Sequence, residues 1–276
     1  MRDVVTAVIN YTGPMTETPR YHACDHSRDV HRLDPRTVEI ENVRSRPQPP
    51  TLDREGFTLV RHTTKVASFL DTSELERVYV PEVERLVCEV TGACAAVVVA
   101  APFVRFAERS PLSGTLSNSI PARFAHIDYG EDRARTTAEQ FFPRARGNRP
   151  QRLGRFAHYN VWRVLTEPPQ DVPLAVCSAQ TLAAQDLVPA RAVFDFPGVP
   201  ERTAESLVVR HNPAHRWCYF RDMTPSEALI FVTKESDPHR AHHVPHSAFD
   251  DPGCPASAVP RSSIEIRLAA YFPPAP

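Results

Sequence analysis

The chain has 276 residues, 42% of them hydrophobic and 24% charged, with a formal net charge of −1. That is ordinary globular composition, and the length fits one large domain around a single core. Near-neutral charge without a basic block excludes nucleic acid as an expected partner, and no run reaches the ~18 apolar residues of a membrane helix.

The opening Met1-Arg2-Asp3-Val4-Val5 has neither an apolar leader segment nor a cleavage site, so a soluble, cytoplasmic protein is expected. Cysteines stand at 24, 88, 94, 177, 218 and 254, and none forms a CxxC. Free, mostly buried thiols are the expected state. Lys65 and Lys234 are the only lysines, so arginine carries nearly all the positive charge. With 28 prolines this reads as coding bias, a hint about source and not about function.

In chain order, residues 3–11 read as a first strand stopped by Thr12-Gly13-Pro14. Residues 14–37 are polar and aperiodic and read as a surface arm outside the core. A short strand is expected at 38–43, then an extended connector at Arg46-Pro47-Gln48-Pro49-Pro50. Asp71 with Glu74 three residues on reads as a capping box. Leu75, Val78, Val83, Leu86, Val87 and Val90 form a helical stripe, with Pro81 at a break or second start and Gly92 at the end. Residues 95–101 read as a buried strand.

Downstream, strand-like runs recur at 124–129, 159–165, 173–178, 208–209, 216–221, 228–233, 243–249 and 263–272. Turn chemistry separates them. About eight such strands predict a mainly β protein with flanking helices, of double-sheet jelly-roll (double-stranded β-helix) type. Residues 131–144 break the pattern as a lid or helix, and residues 179–187 as a helical insert. One domain is expected over 1–276: residues 1–118 pack strands and a helix on a core, 119–276, that carries the site.

The centre of interest is Arg123-Phe124-Ala125-His126-Ile127-Asp128-Tyr129. On a strand, residues i and i+2 share a face, so His126 and Asp128 can hold one ion from one side. A His and a carboxylate are two thirds of the facial triad that binds non-haem Fe(II) and leaves positions open. Later, Val244-Pro245-His246-Ser247-Ala248-Phe249 places a second His on a strand, and Arg261-Ser262-Ser263 opens the last one. A guanidinium fork binds a carboxylate bidentately, and a hydroxyl two residues on can share it. Arg267 shares a strand face with Arg261, and either could be the fork; Arg261 has the serine partner.

These residues resemble the Fe(II)/2-oxoglutarate-dependent oxygenases. More narrowly, the chain is similar to the group holding the cephamycin 7-methoxylation protein and the gibberellin-desaturase-like oxidoreductases. The matching stretches run in order: Leu52-Asp53-Arg54-Glu55-Gly56-Phe57, Tyr79-Val80-Pro81-Glu82, His126-Ile127-Asp128, Asn160-Val161-Trp162-Arg163, Trp217-Cys218-Tyr219-Phe220, Met223-Thr224-Pro225-Ser226-Glu227, Pro245-His246-Ser247-Ala248-Phe249 and Arg261-Ser262-Ser263-Ile264-Glu265-Ile266-Arg267. The resemblance implies a jelly-roll fold, His126, Asp128 and His246 as iron ligands, Arg261 and Ser263 on the 2-oxoglutarate tail, and O2 as oxidant. It implies hydroxylation or desaturation of a small molecule in specialised metabolism. The gap between Asp128 and His246 is long for such enzymes, and an insertion at 131–154 would account for much of it.

Other residues join the candidate set. Asn160 is expected toward the co-substrate and Trp162 on the pocket wall, with Arg163 on the opposite face as an ion-pair partner. Trp217 and Tyr219 share a face as core and pocket lining. Phe103 and Arg105 are a candidate pocket wall. Arg123, Arg133 and Arg135 read as a solvated basic face that could receive an acidic substrate. Two rival readings keep the scaffold: an iron oxidase that uses O2 without 2-oxoglutarate, and a non-catalytic accessory subunit.

Overall fold

The computed structural model describes residues 3–145 and 151–273. In chain order the elements are β1 (Val4–Thr12), β2 (Arg20–His22), β3 (Leu33–Asn42), β4 (Phe57–Arg61), α1 (Thr72–Glu74), a π-helical turn (Leu75–Tyr79), α2 (Val80–Thr91), β5 (Ala95–Val98), β6 (Phe103–Phe106) and β7 (His126–Ile127). Then follow α3 (Glu131–Phe141), β8 (Phe156–Val164), β9 (Leu174–Cys177), β10 (Leu187–Phe194), β11 (Arg202–Val209), β12 (Trp217–Tyr219), β13 (Glu227–Glu235), β14 (His246–Ala248) and β15 (Ser262–Tyr271).

The strands form two sheets. The major sheet runs β1-β3-β12-β9-β14-β7-β11-β10-β2; the minor runs β4-β13-β8-β15-β5, with β6 also paired to β15. Strands from before and after residue 118 share both sheets. This is the expected jelly roll. The expected insertion at 131–154 holds α3 and a 3-10 turn at Phe142–Arg144, and its residues 146–150 lie outside the described residues.

Period-two alternation divides the minor sheet into two unlike faces. On β15, Ile264, Ile266, Leu268 and Ala270 join Val161 of β8 and Val83, Leu86 and Val87 of α2 in the largest apolar core. The alternate residues Ser263, Glu265 and Arg267 are equally buried but polar, and they point the other way, between the sheets. A fold that buries a polar face this deeply must satisfy it from within.

The nine-stranded sheet curls back on itself. Asn10 of β1 accepts from the Ala125 amide, and its Nδ2 donates to the Arg123 carbonyl at 2.6 Å. Ile9 and Tyr11 thereby close a second apolar cluster with Ala125, Ala175, Cys177, Trp217, Tyr219 and Phe249. The first strand thus buttresses the stretch that leads into β7.

Several expectations need correction. The polar arm at 14–37 is not outside the sheets: β2 pairs in parallel with β10, and β3 begins at Leu33 and pairs along the whole of β1. Asp71 does cap the helix, accepting from the amides of Ser73 and Glu74. Glu74 does not complete a capping box, because its carboxylate accepts from the amides of Ala67 and Ser68. The helix ends at Gly92 in the left-handed region, φ 72°. Residues 179–187 hold two 3-10 turns, and the strand that follows, β10, was not expected. Residues 124–129 contain only a two-residue strand, with Asp128 just beyond its end. All six cysteines are free, and Cys177 and Cys218 are buried.

Candidate metal centre

β7 and β14 are hydrogen-bonded neighbours, with His126 directly opposite His246. Their rings stand 4.2 Å apart. Asp128, one residue past β7, turns its carboxylate between them: Oδ1 lies 3.9 Å from His126 Nε2 and Oδ2 lies 3.8 Å from His246 Nε2. One ligand atom from each residue lies within 4.8 Å of the others. These three are the only group of that kind among the described residues.

The ring orientations suit an ion. His126 Nδ1 lies 2.9 Å from the Phe124 carbonyl, and His246 Nδ1 lies 3.4 Å from that of Val244. A carbonyl only accepts, so each Nδ1 carries the proton and each Nε2 turns its lone pair to the centre. His246 Nε2 is buried without a partner. Burial pushes both imidazoles down to about 4, with His246 adding to the shift at His126, so both are neutral near pH 7. Burial alone would raise the Asp128 carboxyl, but Arg267 and the two imidazoles outweigh it and hold it below the usual carboxylate range. Two neutral nitrogens and one carboxylate on one side of an ion form the 2-His-1-carboxylate donor set that suits Fe(II).

The inner face of β8 and β15 supports this centre. Asn160 Nδ2 donates to Asp128 Oδ2 at 2.6 Å. Arg267 Nη2 lies 2.6 Å from Asp128 Oδ1 and 2.9 Å from Glu265 Oε1. Arg267 and Asn160 are register partners across the two strands, which puts both beside the same carboxylate. Asn160 and Arg267, expected toward the co-substrate, both contact the Asp128 carboxylate.

Arg261 differs in kind. It is 1% exposed, and its Nη1 donates to Ser263 Oγ at 2.7 Å. Its Nε and Nη2 are buried with no partner. Its guanidinium sits 5.5 Å from the Trp162 ring. Burial, with Arg105 and Arg123 adding, pushes it down to about 9. A narrow cavity of about 20 Å³ separates Arg261 from His126 and His246, with Trp162, Arg105 and Glu265 on its walls.

A larger cavity, about 240 Å³, opens on the other side of His126 and Asp128. Tyr21, Ile120, Phe124, Val193 and Phe194 give it apolar walls. Arg105 lines both cavities. Phe103 lines neither and stacks instead on Arg267, 5.2 Å from its guanidinium. Trp217 and Tyr219 are not at the site: Trp217 donates to the Tyr11 hydroxyl at 2.6 Å in the apolar cluster behind the major sheet, and Tyr219 packs on Phe249 there. Arg163 has no carboxylate partner among the described residues; it donates to the carbonyls of His62 and Pro225 and lies against Tyr79.

Sequence reasoning missed Tyr21 and Glu265 as site residues. Glu265 alternates with Ser263 and Arg267, so period two could have found it. Tyr21 had no such signal, because its strand has only three residues.

The described residues thus define a metal-competent jelly roll with a buried guanidinium that has two unpartnered nitrogens. The family profile described as "Oxidoreductase/YMDC permease-like domain" matches residues 9–271, and the chain belongs to this family of oxidoreductases. It is 30% identical to "Oxidoreductase clz16" of Cochliobolus lunatus over 91% of this chain and 90% of that one. It is 26% identical to "Alpha-ketoglutarate-dependent dioxygenase phiK" of a fungal species, over 98% and 96% of the two chains. Among solved structures, the "iron and alpha-ketoglutarate-dependent endoperoxidase NvfI" superposes with a TM-score of 0.83 at 24% identity, covering 98% of each chain. That likeness establishes the jelly-roll fold. No helix among the described residues is long and apolar enough to cross a membrane.

Proposed function

We propose that this oxidoreductase is a non-haem Fe(II)/2-oxoglutarate-dependent oxygenase that hydroxylates or desaturates a small molecule of specialised metabolism. The observation that carries the reading is the pairing of two unmet needs within one interior. A three-ligand centre with an unpartnered His246 Nε2 lies across a narrow cavity from a guanidinium with two unpartnered nitrogens. Buried groups of this kind need partners. A cation answers the first need, and a dicarboxylate that also reaches the cation answers the second.

In this assignment His126, Asp128 and His246 hold Fe(II). Arg261 and Ser263 hold the far carboxylate of 2-oxoglutarate, and Trp162 walls its cavity. Bound there, the metal with its 2-oxo acid supplies O2 activation, coupled to release of succinate and CO2. The chain's own residues do the rest. Asn160 and Arg267 fix the plane of the Asp128 carboxylate, and the carbonyls of Phe124 and Val244 fix the two imidazoles. Admitting a five-carbon diacid requires the walls of the narrow cavity to part. The larger cavity beside His126 and Asp128 receives the substrate and keeps bulk water away.

The fork at Arg261 separates this reading from an iron oxidase that needs no 2-oxo acid. Anaerobic titration of the protein with Fe(II) and then 2-oxoglutarate tests it. A weak visible charge-transfer band, saturating at one equivalent, and succinate on admission of air are expected. Fe(II) binding without that band would favour the oxidase, and no Fe(II) binding would leave an accessory subunit.

A further inference from the structure

We propose that the substrate is an anion, a carboxylic acid on an apolar skeleton, and that Arg105 receives its carboxylate in the larger cavity. This rests on the oxygenase assignment above for its charge balance, while the geometry of Arg105 stands apart from it.

The first argument is charge. Three guanidinia lie around the centre, those of Arg261 and Arg267 buried and that of Arg105 half-buried, and the buried carboxylates facing them are Asp128 and Glu265. Both carboxylates are taken by Arg267. The nearby Asp171 and Glu108 are paired with Arg109 and Arg123. A divalent ion and a dianionic co-substrate cancel each other. One positive charge is left over at the half-buried Arg105, on the wall of a cavity where a carboxylate partner would be stabilising.

The second argument is valence. Every side-chain hydrogen bond that Arg105 makes among the described residues comes from Nη1, to the Asn118 carbonyl at 3.2 Å, to Asn118 Oδ1 at 3.0 Å and to the Ile120 carbonyl at 2.5 Å. All three acceptors are neutral, and Nε and Nη2 remain to donate. A planar fork held by one nitrogen with its other donors open is built for a carboxylate. Its side chain lines the larger cavity.

The third argument is what surrounds it. The Arg133 guanidinium lines the same cavity with no carboxylate partner among the described residues: its Nη1 donates to the carbonyls of Asp128 and Glu205, it lies 4.7 Å from the Tyr129 ring, and the Glu205 carboxylate accepts instead from the Arg133 backbone amide. Tyr21, Ile120, Phe124 and Phe194 give the cavity apolar walls, while Arg123 and Arg267, which also line it, are paired with Glu108 and with Asp128 and Glu265. The one acid at the far end, Asp29, is taken up by His22 at 3.0 Å and His26 at 3.4 Å. Two guanidinia without a carboxylate partner, in a chamber with these apolar walls, select for an acid with a hydrophobic body.

The test uses the whole chain and pairs of probes: decanoate, 1-adamantanecarboxylate and biphenyl-4-carboxylate, each against its methyl ester. Thermal shift is read on metal-free protein, and perturbation of the charge-transfer band is read on anaerobic protein with Fe(II) and 2-oxoglutarate. We expect at least one acid to raise the melting temperature and shift the band, with its ester at least tenfold weaker. We expect R105M to erase that preference while its band still saturates at the wild-type 2-oxoglutarate concentration. Equal binding of acid and ester, or no binding by any acid, would overturn the proposal. So would loss of 2-oxoglutarate binding in R105M, which would give Arg105 to the co-substrate. If wild type shows no band at all, the oxygenase assignment fails, and the thermal-shift comparison still decides the acid preference.

Discussion

Arg267 Nη2 lies 2.6 Å from Asp128 Oδ1, so the carboxylate that completes the metal centre already carries a cation on its other side. The same guanidinium holds Glu265. Removing it strands two buried acids at once. R267M is expected to cost about 3–5 kcal/mol in metal-free protein, the scale of a broken buried ion pair. Mn(II) should recover part of that loss, because the ion takes over the charge on Asp128. Urea unfolding with and without Mn(II) measures both; an equal loss in the two conditions would refute the coupling.

Arg261 gives the opposite pattern. Its Nε and Nη2 are buried without a hydrogen-bond partner, so its guanidinium is an under-compensated buried cation. R261M should weaken 2-oxoglutarate binding by roughly a hundredfold or more, in line with the ~2–5 kcal/mol of a truncated buried charge pair. The same change should leave the melting temperature of ligand-free protein unchanged or higher. A fall in both quantities would mean that Arg261 is a structural residue.

Acid should unfold this protein through its buried imidazoles. Burial pushes His158 down to about 4, and its Nε2 donates to the Ala134 carbonyl at 2.8 Å. Burial likewise pushes His243 down to about 3. In the unfolded chain a histidine titrates near ~6.5. Between those values the unfolded state binds the extra protons, so stability rises with pH there. It is complete above about pH 6.5 and is lost as pH falls toward 4. H158Q, which keeps an N–H for Ala134, should flatten the acid limb of a melting-temperature profile. An unchanged slope would exclude His158 from the effect.

Two glycines separate backbone strain from crowding. Gly92 and Gly56 both have positive φ, 72° and 87°. A Cβ on Gly92 meets open space, whereas one on Gly56 would come 2.4 Å from Val244 Cγ2. G92A should cost about 1 kcal/mol, from backbone conformation alone. G56A should cost a further ~1–3 kcal/mol, and it should also weaken metal binding, because Val244 supplies the carbonyl facing His246 Nδ1. Parallel unfolding and Mn(II) titrations of the two variants check the difference.

Much of this was legible in the sequence, and what escaped has physical reasons. His126, Asp128, His246 and Arg261 could be selected because turn chemistry and strand patterning put them on short β segments in a chemically sensible order. Their pairing partners could not, because register between distant strands is a tertiary property. Period two correctly grouped Trp217 with Tyr219, but parity does not say which face meets the cavity, and theirs turns to the cluster behind the sheet. β10 and β11 alternate small and charged residues, as in Ala190-Arg191-Ala192 and Thr203-Ala204-Glu205, so their apolar signal is faint. Arg267 and Arg261 share a strand face, and only the serine partner spoke for Arg261; the position of Asp128 shows where Arg267 goes instead.

β15 is the last strand in chain order among the described residues, yet it lies between β8 and β5, inside the minor sheet. A nascent chain halted before Ser262 has a gap down the middle of that sheet and lacks the whole row of alternating polar side chains. Its helix α2 would lose the apolar residues of β15 that share its core. Completing the apolar core and furnishing the buried polar row beside His126 and Asp128 are therefore one folding event, because the same strand supplies both.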